Sequence, residues 1–332
     1  VEKLSYLVSG SAAGYTHLTK LAAAEAETAL WDYGTAAKMP PALLRELVEV
    51  ASGGSATVKT DDLGNPSMMY VIRGPILAGH FHADMGSVSG LKTVTLGVGG
   101  SGYAENEIVT ITQAGGSGGK IRVLTVNSGA IVTFEIVEPG TGYAVANGLA
   151  STSAGSGVDA TFNITAIGPI HNAFSVAGVS KTEILIGMFL SAQYGSGASA
   201  RAVSWPGLYP TGSLDFDAAK ALHTAKNGGV SGGWHMMTFW EQALVTWLSM
   251  KMQTEPRGNT YYGRAHDSGY EYECGVRSDG LAPGTASGTA KHRNGSGPDS
   301  WSHNAKRWGI HDLVGSMGEW RDGMKIVDGL IK

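Results

Sequence analysis

The segment at residues 309–320 constrains the fold of this chain most. It reads Gly-Ile-His-Asp-Leu-Val-Gly-Ser-Met-Gly-Glu-Trp. Its glycines permit tight backbone turns. Asp312 and Glu319 are spaced to hold turn amides or a hard cation. The apolar residues of the segment predict anchors that tie these turns to a core: Ile310, Leu313, Val314 and Trp320.

Composition favours a β-rich, turn-rich protein. The chain has 332 residues, enough for two or three domains, and it contains 49 glycines with only 16% charged residues. This balance suits secreted or virion proteins better than helical cytosolic enzymes. The formal net charge is −4 and no cluster of Lys and Arg stands out, so we expect no nucleic-acid partner.

The cysteine count excludes two kinds of site. Cys274 is the single cysteine, so neither an intrachain disulfide nor a thiolate metal cluster can form within one chain. No stretch approaches the roughly 20 apolar residues of a transmembrane helix, and no signal peptide is evident. We therefore expect no membrane insertion.

Residues 1–85 are predicted to form a small mixed module for attachment or oligomerisation. Helix-forming residues indicate a helix over about 16–31. A second helix is predicted around residues 43–51, ended by Gly53 and Gly54. Residues 68–72 have the apolar run of a buried strand.

Residues 86–168 contain an internal repeat. Gly-Ser-Gly-Tyr at 100–103 is echoed by Gly-Thr-Gly-Tyr at 140–143, and alternating strand patterns such as 121–126 lie between glycine-rich turns. The segment resembles the glycine-tyrosine repeat module of phage virion proteins. A low-complexity linker is the alternative, but the strand alternation favours an inserted all-β domain.

Residues 169–332 contain an ordered series of local signals. A strand is predicted at 183–189, and Asp215 or Asp217 can cap a helix that runs to about Lys226. Thr238 and Glu241 form a Thr-x-x-Glu capping box before an apolar helical face. Pro-Arg-Gly-Asn at 256–259 follows that helix.

This order of segments resembles the formylglycine-generating-enzyme-like branch of the C-type-lectin fold. The chain is most similar to phage tail adhesins of that branch, which include the variable receptor-binding proteins of diversity-generating retroelements and the major tropism determinant. Residues 234–238 and 297–303 look like segments common in those adhesins. The resemblance implies an α+β protein: a C-type-lectin-like domain at 169–332, with the all-β repeat domain inserted between it and the N-terminal module.

The resemblance also bears on catalysis. The enzymes of the branch activate dioxygen with copper held by two cysteines, and this chain has only Cys274. It also lacks their Arg-Gly-Gly-Ser-x-Trp-like finish. We therefore expect no enzyme and no required cofactor. A metal-dependent oxidoreductase, including one with iron held by two histidines and a carboxylate, remains the alternative.

Two structural metal sites are further possibilities. His80 and His82 would share one face of a strand, so three such pairs around a three-fold axis could hold a metal ion. The enzymes bind Ca²⁺ partly through an Asn and a Glu in the late segment. Glu319 matches that Glu, whereas Ser316 stands in the place of the Asn.

Residues 256–308 are the predicted receptor-binding surface. The segment is aromatic and polar without core periodicity, and Tyr, Trp, Arg and Asn are the residues that adaptable recognition surfaces use. The predicted contact residues are Tyr261, Tyr262, Arg264, His266, Tyr270, Tyr272, Arg293, Asn294, Trp301, His303 and Asn304.

The predicted function follows from the resemblance. We expect a trimeric phage tail adhesin, located on the virion, that binds a host-surface protein or glycan and contacts other tail proteins. A structural virion protein, such as a capsid decoration or baseplate component, is the second alternative, which the glycine-rich repeat keeps open.

Overall fold

A computed structural model of the chain describes residues 6–8, 18–20, 30–74, 76, 86–176, 179–181, 183–228, 233–323, 326–327 and 330–331. The protein is mostly β with some helices, which agrees with the predicted α+β class. It divides into two compact units. The first contains residues 1–71 and 185–332, and the second contains residues 72–184.

The elements are numbered in chain order. The strands are β1 (Tyr6–Val8), β2 (Leu18–Lys20), β3 (Ala56–Thr60), β4 (Pro66–Arg73), β5 (Gly86–Ser101), β6 (Ile108–Ile111), β7 (Ser117–Asn127), β8 (Ala130–Thr141), β9 (Ala146–Ser153), β10 (Val158–His171), β11 (Ser175–Val176), β12 (Val179–Ser180), β13 (Glu183–Gly187), β14 (Ala192–Tyr194), β15 (Arg201–Val203), β16 (Ile326–Val327) and β17 (Leu330–Ile331). The α-helices are α1 (Tyr33–Ala36), α2 (Pro41–Ala51), α3 (Phe216–Thr224) and α4 (Phe239–Lys251).

The predicted helix over residues 16–31 is wrong at its start. Leu18–Lys20 is strand β2, which pairs antiparallel with β1. Backbone hydrogen bonds to a partner strand override the weak helix preference of this segment, as tertiary context often does. Residues 21–29 lie outside the described part of the chain.

A three-stranded sheet with the order β13-β4-β3 forms the centre of the first unit. Strand β4 is buried along most of its length, as residues 68–72 predicted. Helix α2 begins with Pro41 in its first turn, where the missing amide costs nothing, and it buries Leu44, Leu47 and Val48. The predicted helix around 43–51 is therefore confirmed.

The second unit contains a six-stranded antiparallel sheet with the order β5-β10-β9-β6-β7-β8. Its buried core includes side chains such as Val109, Ile121, Phe162 and Ile164 from the strands, and the partly buried Leu149 of β9 packs against it. This unit contains the whole predicted repeat segment 86–168 and extends past it at both ends. The strand predicted at 121–126 lies within β7.

The repeated tyrosines are packed parts of this core. Tyr103 and Tyr143 are both buried. The hydroxyl of Tyr143 donates to the carbonyl of Ile111 at 2.7 Å and accepts from the amide of Gly119 at 3.0 Å. Gly140 has φ of +58°, and a Cβ there would lie 2.3 Å from the Gly119 nitrogen. Position 140 therefore requires glycine, because any side chain there would clash with the facing backbone.

Helices α3 and α4 start as the sequence predicts. The side chain of Asp215 accepts from the amide of Ala218, and Thr238 forms a capping box with Glu241. Beyond α4 the described chain runs mainly through turns and isolated bridges. None of the described helices is both long and apolar enough to cross a bilayer.

Candidate functional site

A buried polar frame holds the loops after helix α4. The side-chain amide nitrogen of Asn259 donates to the carbonyl of Ala290 at 2.6 Å, and its oxygen accepts from the amide of Gly263 at 2.6 Å. The backbone of Asn259 also forms a bridge with Gly315. Residues 256–259 and 309–315, which the sequence marked separately, therefore meet at this asparagine.

His292 and Asp312 form the centre of this frame. Both side chains are fully buried, and Nε2 of His292 lies 2.9 Å from Oδ1 of Asp312. Nδ1 of His292 lies 2.8 Å from the Ser316 hydroxyl, which can donate to it. Nε2 then donates to Asp312, whose other oxygen accepts from the amide of Gly295 at 3.1 Å. Asp312 thus holds a turn amide, one of the two roles predicted for it.

Trp301 connects the frame to the surface. Its ring packs edge-on against His292 with centroids 5.1 Å apart, and its Nε1 donates to Oε2 of Glu273 at 3.1 Å. Arg257 forms an ion pair with Glu273 through two of its nitrogens. Burial opposes ionisation of Glu273, but its hydrogen bonds outweigh this effect and lower its pKa. The guanidinium carbon of Arg257 lies 3.9 Å from the ring centroid of Tyr270.

A second arginine organises the loop at residues 279–289. The side chain of Arg277 is fully buried and forms a two-pronged ion pair with Asp279. It also donates to the carbonyls of Thr285 at 2.7 Å and Ala282 at 3.3 Å. The loop is therefore wrapped around one guanidinium group, which satisfies several backbone acceptors at once.

Aromatic side chains cover the outside of this frame. Tyr261 contacts Tyr262 and His266 with ring centroids 5.3 and 5.4 Å apart, and Arg264 lies 5.2 Å from the Tyr261 centroid. Tyr270 and Tyr272 form a second cluster, with 40% and 75% of each residue exposed. Backbone pairing of Arg264 with Cys274 joins the two stretches. We call this surface the late-loop face; its members are Tyr261, Tyr262, Arg264, His266, Tyr270 and Tyr272.

Three predicted contact residues are buried and cannot touch a receptor. Trp301 and His303 are fully buried, and Asn294 is 1% exposed. Asn294 donates to the carbonyl of Leu190 at 2.7 Å, and Nδ1 of His303 accepts from the amide of Ile310 at 2.8 Å. Each satisfies backbone groups inside the first unit, a role that a polar sequence pattern does not distinguish from surface recognition. Arg293 is exposed and Asn304 is half-buried.

No protein-family model matches this chain, and no curated protein matches it.

The predicted metal ligands have different outcomes. His80 and His82 lie outside the described residues. Glu319 is paired with Arg321, with Oε2 and a guanidinium nitrogen 2.5 Å apart, and Ser316 is bonded to His292. Within the described part of the chain, no three His, Cys, Asp or Glu side chains gather as a metal site. Cys274 is exposed and unpaired.

Trp320 is not the core anchor that the sequence suggested. It is 51% exposed, whereas Ile310 from the same segment is buried. Nε1 of Trp320 donates to the carbonyl of Leu214 at 3.0 Å, and its ring packs edge-on against Phe216. Trp320 instead lines a cavity of about 260 Å³ in the first unit.

This cavity was missed by sequence reasoning. Its polar lining includes Ser191, His223, Lys226, His235 and Glu241. These residues come from a loop, helix α3, a short 3₁₀ turn and the start of α4, so no local spacing connects them. Only the capping box at 238–241 was visible in the sequence.

Two cations at the cavity have strongly shifted pKa values. The bond to Glu241 raises the pKa of His235 to about 9, with Nε2 and Oε1 2.9 Å apart. Burial lowers the pKa of Lys226 to about 8. Its ammonium donates to Ser67 Oγ at 2.8 Å and lies 3.6 Å from the ring centroid of Trp234. The cavity wall therefore carries positive charge at neutral pH.

Proposed function

We propose that this chain is a phage tail adhesin that binds a host-surface receptor through the late-loop face. The observation that carries the proposal is a Tyr-Arg-His surface held by a buried polar frame, with His266, Tyr270 and Tyr272 exposed and the other members of the face half-buried. Aromatic rings offer large, rigid contact areas at low conformational cost, and they stack on sugar rings or on protein side chains.

The frame explains why such a surface can bind. Tyr270 stacks on Arg257, whose position is fixed by Glu273 and, through it, by Trp301. A side chain that is already held in place loses less conformational freedom when a partner arrives. The late-loop face is thus preorganised although it lies almost wholly in turns.

The meeting of the two late segments supports a C-type-lectin-like fold for residues 169–332. The backbone amide of Ser316 donates to the carbonyl of Asn259 at 2.8 Å, next to the Asn259–Gly315 bridge. Such proximity is expected if both segments belong to one domain, as the resemblance implies. We also propose that the protein is a trimer, that it contacts other tail proteins and that it holds a structural metal ion such as Ca²⁺.

Binding by the full chain tests the proposal. The probes are a printed glycan array and a panel of intact bacterial cells, each scored with labelled protein. Once a binding partner is found, Tyr270→Ala and Tyr272→Ala should each weaken binding about tenfold or more, as aromatic residues at interface centres do.

Tyr209→Ala is the matched control. Tyr209 is 41% exposed and lies in the first unit outside the late loops. It should bind like the wild type. Equal losses in all three variants, or none in any of them, would contradict the site.

A further inference from the structure

A serine and a histidine are hydrogen-bonded at the wall of the cavity in the first unit. Oγ of Ser191 lies 3.0 Å from Nε2 of His223. Nδ1 of His223 lies 2.8 Å from the carbonyl oxygen of Ala219. Because a carbonyl oxygen only accepts, Nδ1 carries the hydrogen. The lone pair of Nε2 therefore faces the Ser191 hydroxyl, as a general base faces a nucleophile.

Regular structure holds both partners. His223 lies in the last turn of helix α3, and its Nδ1 bonds to the carbonyl oxygen of Ala219, four residues earlier in the same helix. Ser191 directly precedes strand β14, and its carbonyl accepts from the amide of Thr211 at 3.1 Å. The pair is thus fixed from two separate elements, and both residues line the cavity.

The surroundings keep the histidine in its basic form. Burial lowers the pKa of His223, and the positive charges of Lys226 and His235 lower it further, although the bond to Ala219 acts in the opposite direction. A neutral imidazole is the form that can take a proton from a hydroxyl. The same two cations can stabilise negative charge that develops in the cavity.

The apolar lining and the volume of the cavity fit a small acyl group. Its volume is about 260 Å³, and its apolar lining includes Met69, Ile186, Leu222, Met237 and Met317. Drug-sized ligands occupy pockets of about 300–1,000 Å³, so this cavity fits a short-chain ester.

Backbone amides also belong to residues of the cavity wall. Gly212 and Ser213, which follow Thr211, also line the cavity. Within the described residues their amides have no hydrogen-bond acceptor. Two such amides are the donors that an ester carbonyl requires when its oxygen becomes negative.

We propose that Ser191 and His223 form a catalytic pair that hydrolyses short-chain esters. Oγ of Ser191 attacks the ester carbonyl carbon while its proton passes to Nε2 of His223. The C–O bond to the alcohol then breaks, and the alcohol leaves with that proton. Water attacks the acyl-serine in the same way and releases the carboxylic acid. This activity goes beyond receptor binding and involves a different part of the first unit.

Labelling of the full chain with a fluorophosphonate probe tests the pair. Intact-mass spectrometry should show one adduct, and peptide mapping should place it on Ser191. Hydrolysis of p-nitrophenyl acetate should fall about 100-fold or more in Ser191→Ala and in His223→Ala, the usual contribution of general base catalysis. After the rate of imidazole alone with the ester is subtracted, added imidazole should restore part of the rate in His223→Ala but none in Ser191→Ala.

Ser268→Ala is the matched control, because Ser268 is an exposed serine of the first unit that does not line the cavity. It should label and hydrolyse like the wild type. Circular dichroism of each variant checks that the fold is retained. Absent labelling of the wild type, or labelling that persists in Ser191→Ala, would overturn the proposal. Absent receptor binding would leave this result unchanged, since the two sites share no residue.

Discussion

The guanidinium carbon of Arg257 lies 3.9 Å from the ring centroid of Tyr270. This contact links the interior of the first unit to its late-loop face, because Arg257 is also bound to the buried Glu273. The position of an exposed tyrosine thus depends on a carboxylate beneath it.

Replacing Glu273 should therefore disturb both stability and the face. Glu273→Gln removes the charge that pairs with Arg257 and should lower the free energy of unfolding by about 2 kcal/mol, as expected for hydrogen bonds to charged groups. Tryptophan fluorescence during urea unfolding measures this loss in the first unit, which contains all eight tryptophans. Glu271→Gln, at an exposed carboxylate two residues away, should change stability little. Equal losses would show that the buried pair has no special role.

The contribution of the His235–Glu241 pair to the stability of the first unit should fall as pH rises above neutrality. Because the folded-state pKa of His235 is raised to about 9, its pairing with Glu241 stabilises the fold fully below the ordinary histidine pKa of 6.5. That contribution is lost as pH rises through 9. Since the imidazole is partly exposed, solvent screening limits the loss to about 1 kcal/mol. Urea unfolding at pH 6 to 10 should show that the stability advantage of the wild type over His235→Gln shrinks across this range.

The repeat glycines should differ sharply in their tolerance of alanine. At Gly140 an added Cβ would lie 2.3 Å from the Gly119 nitrogen, whereas at Gly148 it would meet nothing within 4 Å. Both have positive φ, +58° and +66°. Gly148→Ala should therefore cost about 1 kcal/mol of backbone strain, and Gly140→Ala clearly more. Far-UV circular dichroism during urea unfolding compares them, and equal midpoints would contradict the packing described for Gly140.

The loop at 279–289 should lose its order without Arg277. Arg277→Ala leaves the carbonyls of Thr285 and Ala282 without their donor and Asp279 without its cation. Arg277→Lys keeps the charge but not the planar fork, so it should restore only part of the order. Hydrogen exchange of loop amides, such as that of Thr289 bonded to Asp279, reports the effect. Unchanged protection in Arg277→Ala would show that the loop is held by other contacts.

Local patterns predicted the fold best. The capping box at Thr238, the N-cap at Asp215 and the strand within β7 depend on residues close in sequence, and the structure has all three. The Gly-x-Gly-Tyr repeats are likewise local patterns, in which the glycines of each turn directly precede its tyrosine. The segment around Leu18 shows the limit, since pairing with strand β1 decides its conformation.

Contacts between residues far apart in the chain could not be predicted from the sequence. Aromatic and polar composition suggested that Trp301 and His303 face solvent, but both are fully buried. Their burial depends on partners such as Glu273 and Ile310, which the fold brings to them. The Ser191–His223 pair is hidden for the same reason, because 32 positions separate its members.

Strands β4 and β13 are hydrogen-bonded neighbours, yet almost all of the second unit lies between them along the chain. Adjacent strands in a sheet are only about 4.8 Å apart, so a connection of almost any length can bridge that gap. Recombination at this junction can therefore shorten, lengthen or replace the intervening segment while strands β4 and β13 stay paired.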